Sequence, residues 1–320
     1  MIYILRIISL IIILTLTVTS TWAGGNKNKG INFSNGRVCS TIAVTAQRAC
    51  ENDIRDDYWI SYGNCINTDD KLAVKECLEE VRAQFKEDHE LCGDQKEARL
   101  NICEALGEAP YQPEIDPDLF LNPEEIAANP NPYFPLVPGL VRILEAGDET
   151  ITVTVTEETV EILGVTCIVV RDIVEEDGET IEDTIDWYAQ DVDGNVWYFG
   201  EISKNFEDGE LNNLDGSWKS GVDDAQPGIV MLAFPEVGDI YRQEYLLGEA
   251  EDMAEVISTS ETWESVPAAD CLDTCLVTSE FLPIEPDVEE FKYYAPGIGN
   301  ILVIDAETGE REELVEVIIP

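Results

Sequence analysis

The densest run of side chains able to do chemistry lies between Asp186 and Glu201, where Trp187, Tyr188, Trp197 and Phe199 stand among Asp191, Asp193, Asn195 and Glu201. A two-residue turn at Asp193-Gly194 sets Gln190 opposite Trp197 and Tyr188 opposite Phe199 on one face, with Trp187 and Tyr198 on the other. Aromatics on both faces describe either a central hairpin covered on both sides or the wall of a ligand cavity. In the second case Trp187, Tyr188, Trp197 and Phe199 touch the ligand. The oxygen-bearing residues Asp191, Asp193, Asn195 and Glu201 suggest a calcium loop, and calcium is the one cofactor the residues suggest. The fit is imperfect: the helical calcium loop wants glycine sixth and glutamate twelfth, whereas here they stand fourth and eleventh.

Catalytic signatures are missing. His89 is the single histidine, so no Ser/His/Asp arrangement can form in the second half of the chain, and there is no Walker loop, HExxH or GxSxG. Hydrolysis by a carboxylate pair stays open, because any two of the 66 acidic residues could approach at glycosidase separation. The same abundance makes it no evidence, and no catalytic residue is assigned.

Six of the nine cysteines form a mirror: Cys39, Cys50, Cys65, Cys77, Cys92 and Cys103 have gaps of 11, 15, 12, 15 and 11. Steps of 11 and 15 residues on a helix return to within about 20° and 60° of the starting direction, so each arm carries its sulfurs on one stripe. Cysteines within an arm are at least roughly 16 Å apart along the axis, too far to pair. Two antiparallel helices with nested bridges Cys39–Cys103, Cys50–Cys92 and Cys65–Cys77 satisfy the spacing. A metal site or merely buried thiols are the alternatives, and without a CxxC they have little to stand on. His89 mirrors Asp53, a surface pair at most. Of the other three cysteines, Cys167 is expected to join Cys275, leaving Cys271 free, with Cys271 as the alternative partner.

Residues Met1 to Ala23 read as a secretory signal peptide, with Arg6, an apolar stretch from Ile7 to Val18 and the small-residue ending Ser20-Thr21-Trp22-Ala23. Export agrees with bridged cysteines and implies a periplasmic or extracellular location, with no membrane span after signal removal. Charge is unevenly spread. Residues 24–108 carry 16 acidic and 11 basic side chains, residues 109–320 carry 50 and 7, and the whole chain has net charge −47. That surface repels nucleic acid and anionic headgroups and attracts divalent cations or a cationic protein; a solvated surface suited to salty surroundings is the simpler account.

The first arm reads as helix from about Val38 to Tyr62, broken at Gly63-Asn64, and the second from Asp70 to Leu106, stopped by Gly107. Val81 and Phe85 supply a narrow apolar seam beside the sulfurs. Eight of the fifteen prolines fall between Pro110 and Pro138, an extended connector whose Tyr111, Phe120 and Phe134 are apolar enough to pack on the second domain. Beyond it, β-branched or alternating runs recur at Thr150–Thr156, Val165–Val174, Thr184–Gln190, Val196–Ile202, Ile240–Leu246, Ala254–Thr262, Val288–Ala295, Ile298–Ile304 and Leu314–Ile319. Asp177-Gly178, Asp193-Gly194 and Asp208-Gly209 punctuate them as hairpin turns. The fold class is α+β. The parts are a signal peptide (1–23), a disulfide-linked antiparallel helical hairpin (24–108), a Pro-rich connector (109–132) and an acidic antiparallel β half-barrel or sandwich (133–320).

The segments Cys103-Glu-Ala-Leu-Gly107, Tyr111 to Pro117, Pro132 to Gly139, Asp186 to Glu201 and Tyr293-Tyr-Ala-Pro-Gly297 resemble a family of exported bacterial proteins of unknown function. The resemblance spans most of the mature chain. Its β part is similar to the curved antiparallel sheets of periplasmic lipid and lipoprotein carriers, although Leu140 to Leu144 replaces the tryptophan and tyrosine strand common after the opening motif. It implies no catalytic residue. The expectation is a non-catalytic exported binding protein carrying an apolar or amphipathic ligand, a small molecule or lipid, in a curved sheet. An envelope or extracellular interaction module that binds divalent cations or a basic partner is the alternative, followed by a carboxylate-dependent hydrolase.

Overall fold

The computed structural model describes residues 36–261 and 266–320. The proposed signal peptide lies outside the described residues. Two long helices come first, α1 (Val38–Ile66) and α2 (Lys71–Leu106). Asp70 caps α2 by accepting a hydrogen bond from the Leu72 amide at 2.8 Å, and Gly107, at φ 92°, ends it. The helices are stitched by Cys39–Cys103, Cys50–Cys92 and Cys65–Cys77, with Cα separations of 5.6, 5.8 and 5.7 Å, as the mirrored spacing requires. One expectation fails at the turn. α1 runs through Gly63-Asn64 to Ile66 and the chain reverses at residues 67–70. A helical glycine costs only about 1 kcal/mol, which the Cys65–Cys77 bridge and its neighbours outweigh.

The C-terminal part of α2 is fastened to the following sheet. Arg99, 6% exposed, grips Glu251, 2% exposed, through Nη2 to Oε1 at 2.6 Å and Nε to Oε2 at 2.9 Å. Such a pair survives burial only because both oxygens and both guanidinium edges are engaged. Gln95 Nε2 adds a bond to the Ile284 carbonyl at 2.8 Å.

The connector holds a single turn of 3-10 helix and the short α3 (Pro123–Ala128), which opens with an Asn122/Glu125 capping box. Fifteen strands follow: β1 (Val141–Ala146), β2 (Glu149–Ile162), β3 (Val165–Glu176), β4 (Glu179–Gln190), β5 (Val196–Glu207), β6 (Glu210–Asn213), β7 (Trp218–Lys219), β8 (Gln226–Met231), β9 (Ile240–Arg242), β10 (Glu244–Tyr245), β11 (Met253–Glu261), β12 (Cys275–Leu282), β13 (Glu285–Ala295), β14 (Gly299–Asp305) and β15 (Arg311–Ile318). All strand pairings among the described residues are antiparallel, in the order β10-β8-β5-β4-β3-β2-β1-β15-β14-β13-β12-β11-β9, with β6 and β7 both pairing with β5 off this path. Positive φ at Leu163-Gly164, Asp177-Gly178 and Asp208-Gly209 gives tight hairpins whose twist matches the strands. β1, β6, β7, β8 and β12 escaped the sequence reading: Arg142 interrupts β1, β6 and β7 are only four and two residues long, Pro227-Gly228 breaks β8, and Thr278 and Glu280 sit at apolar positions of β12.

The two ends of this order meet. β9 pairs with β11 and β10 with β8, and Gln243 alone separates β9 from β10, so one short stretch joins both edges and the sheet is nearly a barrel. Gly228 permits the closure, because a Cβ there would collide with the backbone of Arg242 and Gln243. The connector fills one end. Ile126 and Leu136 are fully buried in the main core with Ile168, Tyr188 and Met231. Asn131 donates to the Gly194 and Leu232 carbonyls at 2.9 and 3.1 Å, and Gln190 receives the Asn131 amide at 2.8 Å.

The expected bridge from Cys167 to Cys275 does not form. Cys271 pairs with Cys275, Cα atoms 4.9 Å apart, across a turn in which the Thr274 amide donates to the Cys271 carbonyl. Cys167 is a free, buried thiol on β3, several strands away round the sheet, in a core with Ile162, Trp187 and Phe199.

Candidate functional site

Between the core that the connector joins and a second apolar cluster that includes Leu144, Ile151 and Val174, inward-facing positions of the barrel are charged. On β3 the alternation Ile168, Val170, Asp172 breaks with a carboxylate, and β4 answers with Asp186 two residues before Tyr188. The register places Asp186 directly opposite Glu201 of β5, which pairs on its other side with Trp218 of β7. A bulge at Phe199-Gly200 makes this possible. Gly200, at φ 130°, lies where a Cβ would strike the Trp218 carbonyl, and the extra residue turns Phe199 outward and Glu201 inward.

Tyr198 links this acidic row to the aromatic floor. Its hydroxyl donates to Asp186 Oδ1 at 2.6 Å; its ring stacks on Tyr188 with centroids 4.6 Å apart and meets Trp218 edge-on at 5.3 Å. On the far wall, Glu280 of β12 accepts from Tyr294 and Thr278 at 2.9 Å and pairs with Lys292 at 3.0 Å. Glu244 of β10 and Asp252, just before β11, complete the circuit beside the closing stretch.

These groups hold protons far more tightly than free carboxylates. Burial, with Asp186 and Glu182 adding negative charge, pushes Asp172 up to about 8, and the nearby Arg142 only partly opposes it. Burial likewise raises Asp186, Glu201, Glu244 and Asp252, with the neighbouring acids contributing to each shift. Lys292 goes the other way from a buried lysine. Desolvation would depress it, but Glu280 and Glu290 outweigh that and hold it above its usual range. Arg142 Nε, Asp172 Oδ1 and Tyr241 Oη are buried here with no hydrogen-bond partner, whereas the Glu244 carboxyl lies against Asp252 and the Trp218 indole. Asp172, Glu182, Glu201, Asp252 and Lys292 retain partial exposure, so water reaches the acidic row.

The residues singled out from sequence lie elsewhere or apart. Gln190 pairs with Val196, Ala189 with Trp197 and Tyr188 with Tyr198, a register different from the expected one, because the connection spans Asp191 to Asn195 rather than two residues. Asp191 causes this. Its Oδ1 accepts from the Asp193 and Asn195 amides at 3.0 and 2.9 Å, and its Oδ2 from Asn195 Nδ2 and Trp197 Nε1 at 2.8 Å each. That carboxylate locks a loop, and Glu201 sits about 20 Å further along the strand, so Asp191, Asp193, Asn195 and Glu201 do not converge. No group of three or more His, Cys, Asp or Glu arranged to hold a metal occurs among the described residues. Trp187, Trp197 and Phe199 face the outer core capped by Phe120, whereas Tyr188 faces the barrel interior, so the four aromatics share no cavity wall.

The acidic row was missed because 66 acidic residues offered no contrast. The available signal was parity: Asp172 lies two residues from Val170 and Val174, and Glu280 follows Leu276 and Thr278, so each occupies the apolar phase of its strand. No protein-family model matches the chain, no curated protein matches its sequence, and no solved structure matches its fold. No helix among the described residues is long and apolar enough to cross a membrane. Four disulfides indicate an oxidising, non-cytoplasmic location.

Proposed function

We propose that the mature chain is a non-catalytic binding protein, exported to the periplasm or beyond the cell, that takes a small ligand at the acidic band of its barrel. The observation that carries this reading is the break in the apolar interior. The core that α3, Asn131 and Leu136 close and the cluster of Leu144, Ile151 and Val174 are separated by half-buried Asp172, Glu201 and Asp252 beside stacked Tyr188 and Tyr198. A purely structural barrel gains nothing from burying acids that must stay protonated to be tolerated. The ligand seat is therefore moved from the outer aromatics to the interior. The signal-like start of the chain and the resemblance to exported proteins with carrier-like sheets support the location and the role.

Native mass spectrometry of the mature chain, incubated with an extract of polar metabolites, tests the reading. A small-molecule adduct that disappears in Glu201→Gln/Asp252→Asn supports it; the absence of any adduct refutes it. A second reading, hydrolysis by a carboxylate pair, draws on Asp186 and Glu201 facing each other across one rung. Turnover of a nitrophenyl glycoside that is lost in both Asp186→Asn and Glu201→Gln would favour it over simple binding.

A further inference from the structure

We infer that one broad face of the helical hairpin is a self-association surface whose occupant is the same face of a second copy, the two hairpins closing into a four-helix bundle. The surface lies apart from the acidic band of the barrel, so the inference stands independently of the ligand-binding reading.

The hairpin has no core of its own where it leaves the barrel. Gln95 and Arg99 are its polar anchors on the sheet, and residues 71–94 of α2 precede them, about 36 Å of helix. Between Cys50 and Cys92 the single buried side chain is Cys65. Two helices cover each other only along their seam, and an apolar stripe beside the seam needs further helices to bury it. Here three disulfides hold the pair instead, so the outer face is preformed and little ordering entropy is lost when it docks.

Helix geometry sorts the side chains onto two faces. Cys65 and Cys77 point at each other across the seam, and at about 100° per residue Arg55, Trp59, Tyr62 and Ile66 lie roughly 60–120° to one side of Cys65 on α1. Because the arms run antiparallel, the same sense of rotation on α2 leads to the same face, and Val74, Leu78, Arg82 and Phe85 stand roughly 60–140° from Cys77. The rings agree with this placement: Tyr58 meets Phe85 across the arms at 5.1 Å, and Trp59 meets Tyr62 at 5.8 Å. Trp59 is 62% exposed and Ile66 56%, while Tyr62, Val74, Leu78 and Phe85 are partly exposed. Asp53, Asp57, Glu76, Glu80 and Glu87 fall on the opposite face.

Charge and area select a second copy as the occupant. With 50 acidic and 7 basic side chains in residues 109–320, most of the surface repels its own kind. On the aromatic face Arg48, Arg55, Lys71 and Arg82 outnumber Glu51 and Asp88, and none of the four makes an ion pair among the described residues. Two-fold pairing with both tips pointing the same way lays α1 of one copy on α2 of the other. Since the numbers of each bridged pair total 142, Trp59 is level with residue 83 and meets Arg82 and Phe85 of the second copy, and Tyr62 and Ile66 meet its Leu78 and Val74. Arg82 then lies over an indole ring rather than against another cation. A face about 20 Å wide and about 35 Å long offers roughly 700 Å² per copy, and the total of roughly 1,400 Å² matches a stable, specific interface.

Sedimentation velocity of the mature, oxidised chain from about 1 to about 100 μM, in about 0.15 M salt, decides the matter. The expected result is a monomer that passes to a dimer over this range. Trp59→Glu, at an exposed site that folding does not need, should weaken the dimer by about tenfold or more. Ile60→Glu adds the same charge one residue away, at a site 57% exposed on the opposite face, and should leave the dimer unchanged. Both variants are checked for an unaltered circular dichroism spectrum. A dimer that the two substitutions weaken equally overturns the inference. A monomer at every concentration also overturns it and leaves the face to a different protein.

Discussion

Asp172→Asn reads the electrostatics of the barrel interior in one substitution. Burial and acidic neighbours keep Asp172 protonated in the native state up to about pH 8, against 3.8 when exposed. Between those values the native state holds a proton that the unfolded chain releases. The contribution is therefore fully present below about pH 4 and is lost as pH rises through about 8. Each intervening pH unit is worth about 1.4 kcal/mol. From about pH 5 to about pH 7.5 a sealed group would lose roughly 3 kcal/mol, and the partial exposure of Asp172 reduces this to about 2. Asparagine keeps the shape of the neutral acid and does not titrate. The variant should thus gain about 2 kcal/mol on the wild type when urea unfolding at about pH 7.5 is compared with about pH 5, with unchanged m-values and intact disulfides. A difference that does not vary with pH, or that shrinks as pH rises, refutes the assignment of Asp172 as a buried neutral carboxyl.

Arg99→Met should cost about 3–5 kcal/mol by stranding Glu251, and Arg99→Met/Glu251→Met should recover most of it in the same urea assay. Gly228→Ala, which drives a methyl into the Gln243 backbone, should destabilise by about 1–3 kcal/mol or more, and amide exchange should increase first in β8 to β10. Cys167, whose thiol burial pushes up to about 12, should resist iodoacetamide in the native protein and become the single alkylated cysteine once the oxidised chain is unfolded.

The hairpin could be read in advance because cysteine spacing is a rigid ruler: a disulfide tolerates little error in Cα separation, so mirrored gaps leave one nested solution. The β-branched runs likewise announced most strands. What sequence could not convey was how the edges meet, since β1–β15 pairing and the Gln243 closure depend on partners far apart in the chain. Local chemistry misled twice. Asp193-Gly194 looked like a two-residue turn, but Asp191 accepts four hydrogen bonds and imposes a longer loop. Cys275 looked like a long-range partner, but a residue four positions away was already at bonding distance. The acidic interior was hidden for a different reason: parity distinguishes it, and parity becomes decisive only when the inner face of each strand is known.

The ring has two seams, one at β1–β15 and one at Gln243, and they divide it into two halves, β1 to β8 edged by β10, and β11 to β15 edged by β9. A chain delivered amino-terminus first completes the earlier half while β15 has yet to emerge, so the outer rim of β1 waits with bare amides and carbonyls. Maturation is thereby tied to β15: until Arg311–Ile318 arrives, the first half is a sticky ribbon, and removal of that strand should yield clumping rather than a shortened, working molecule.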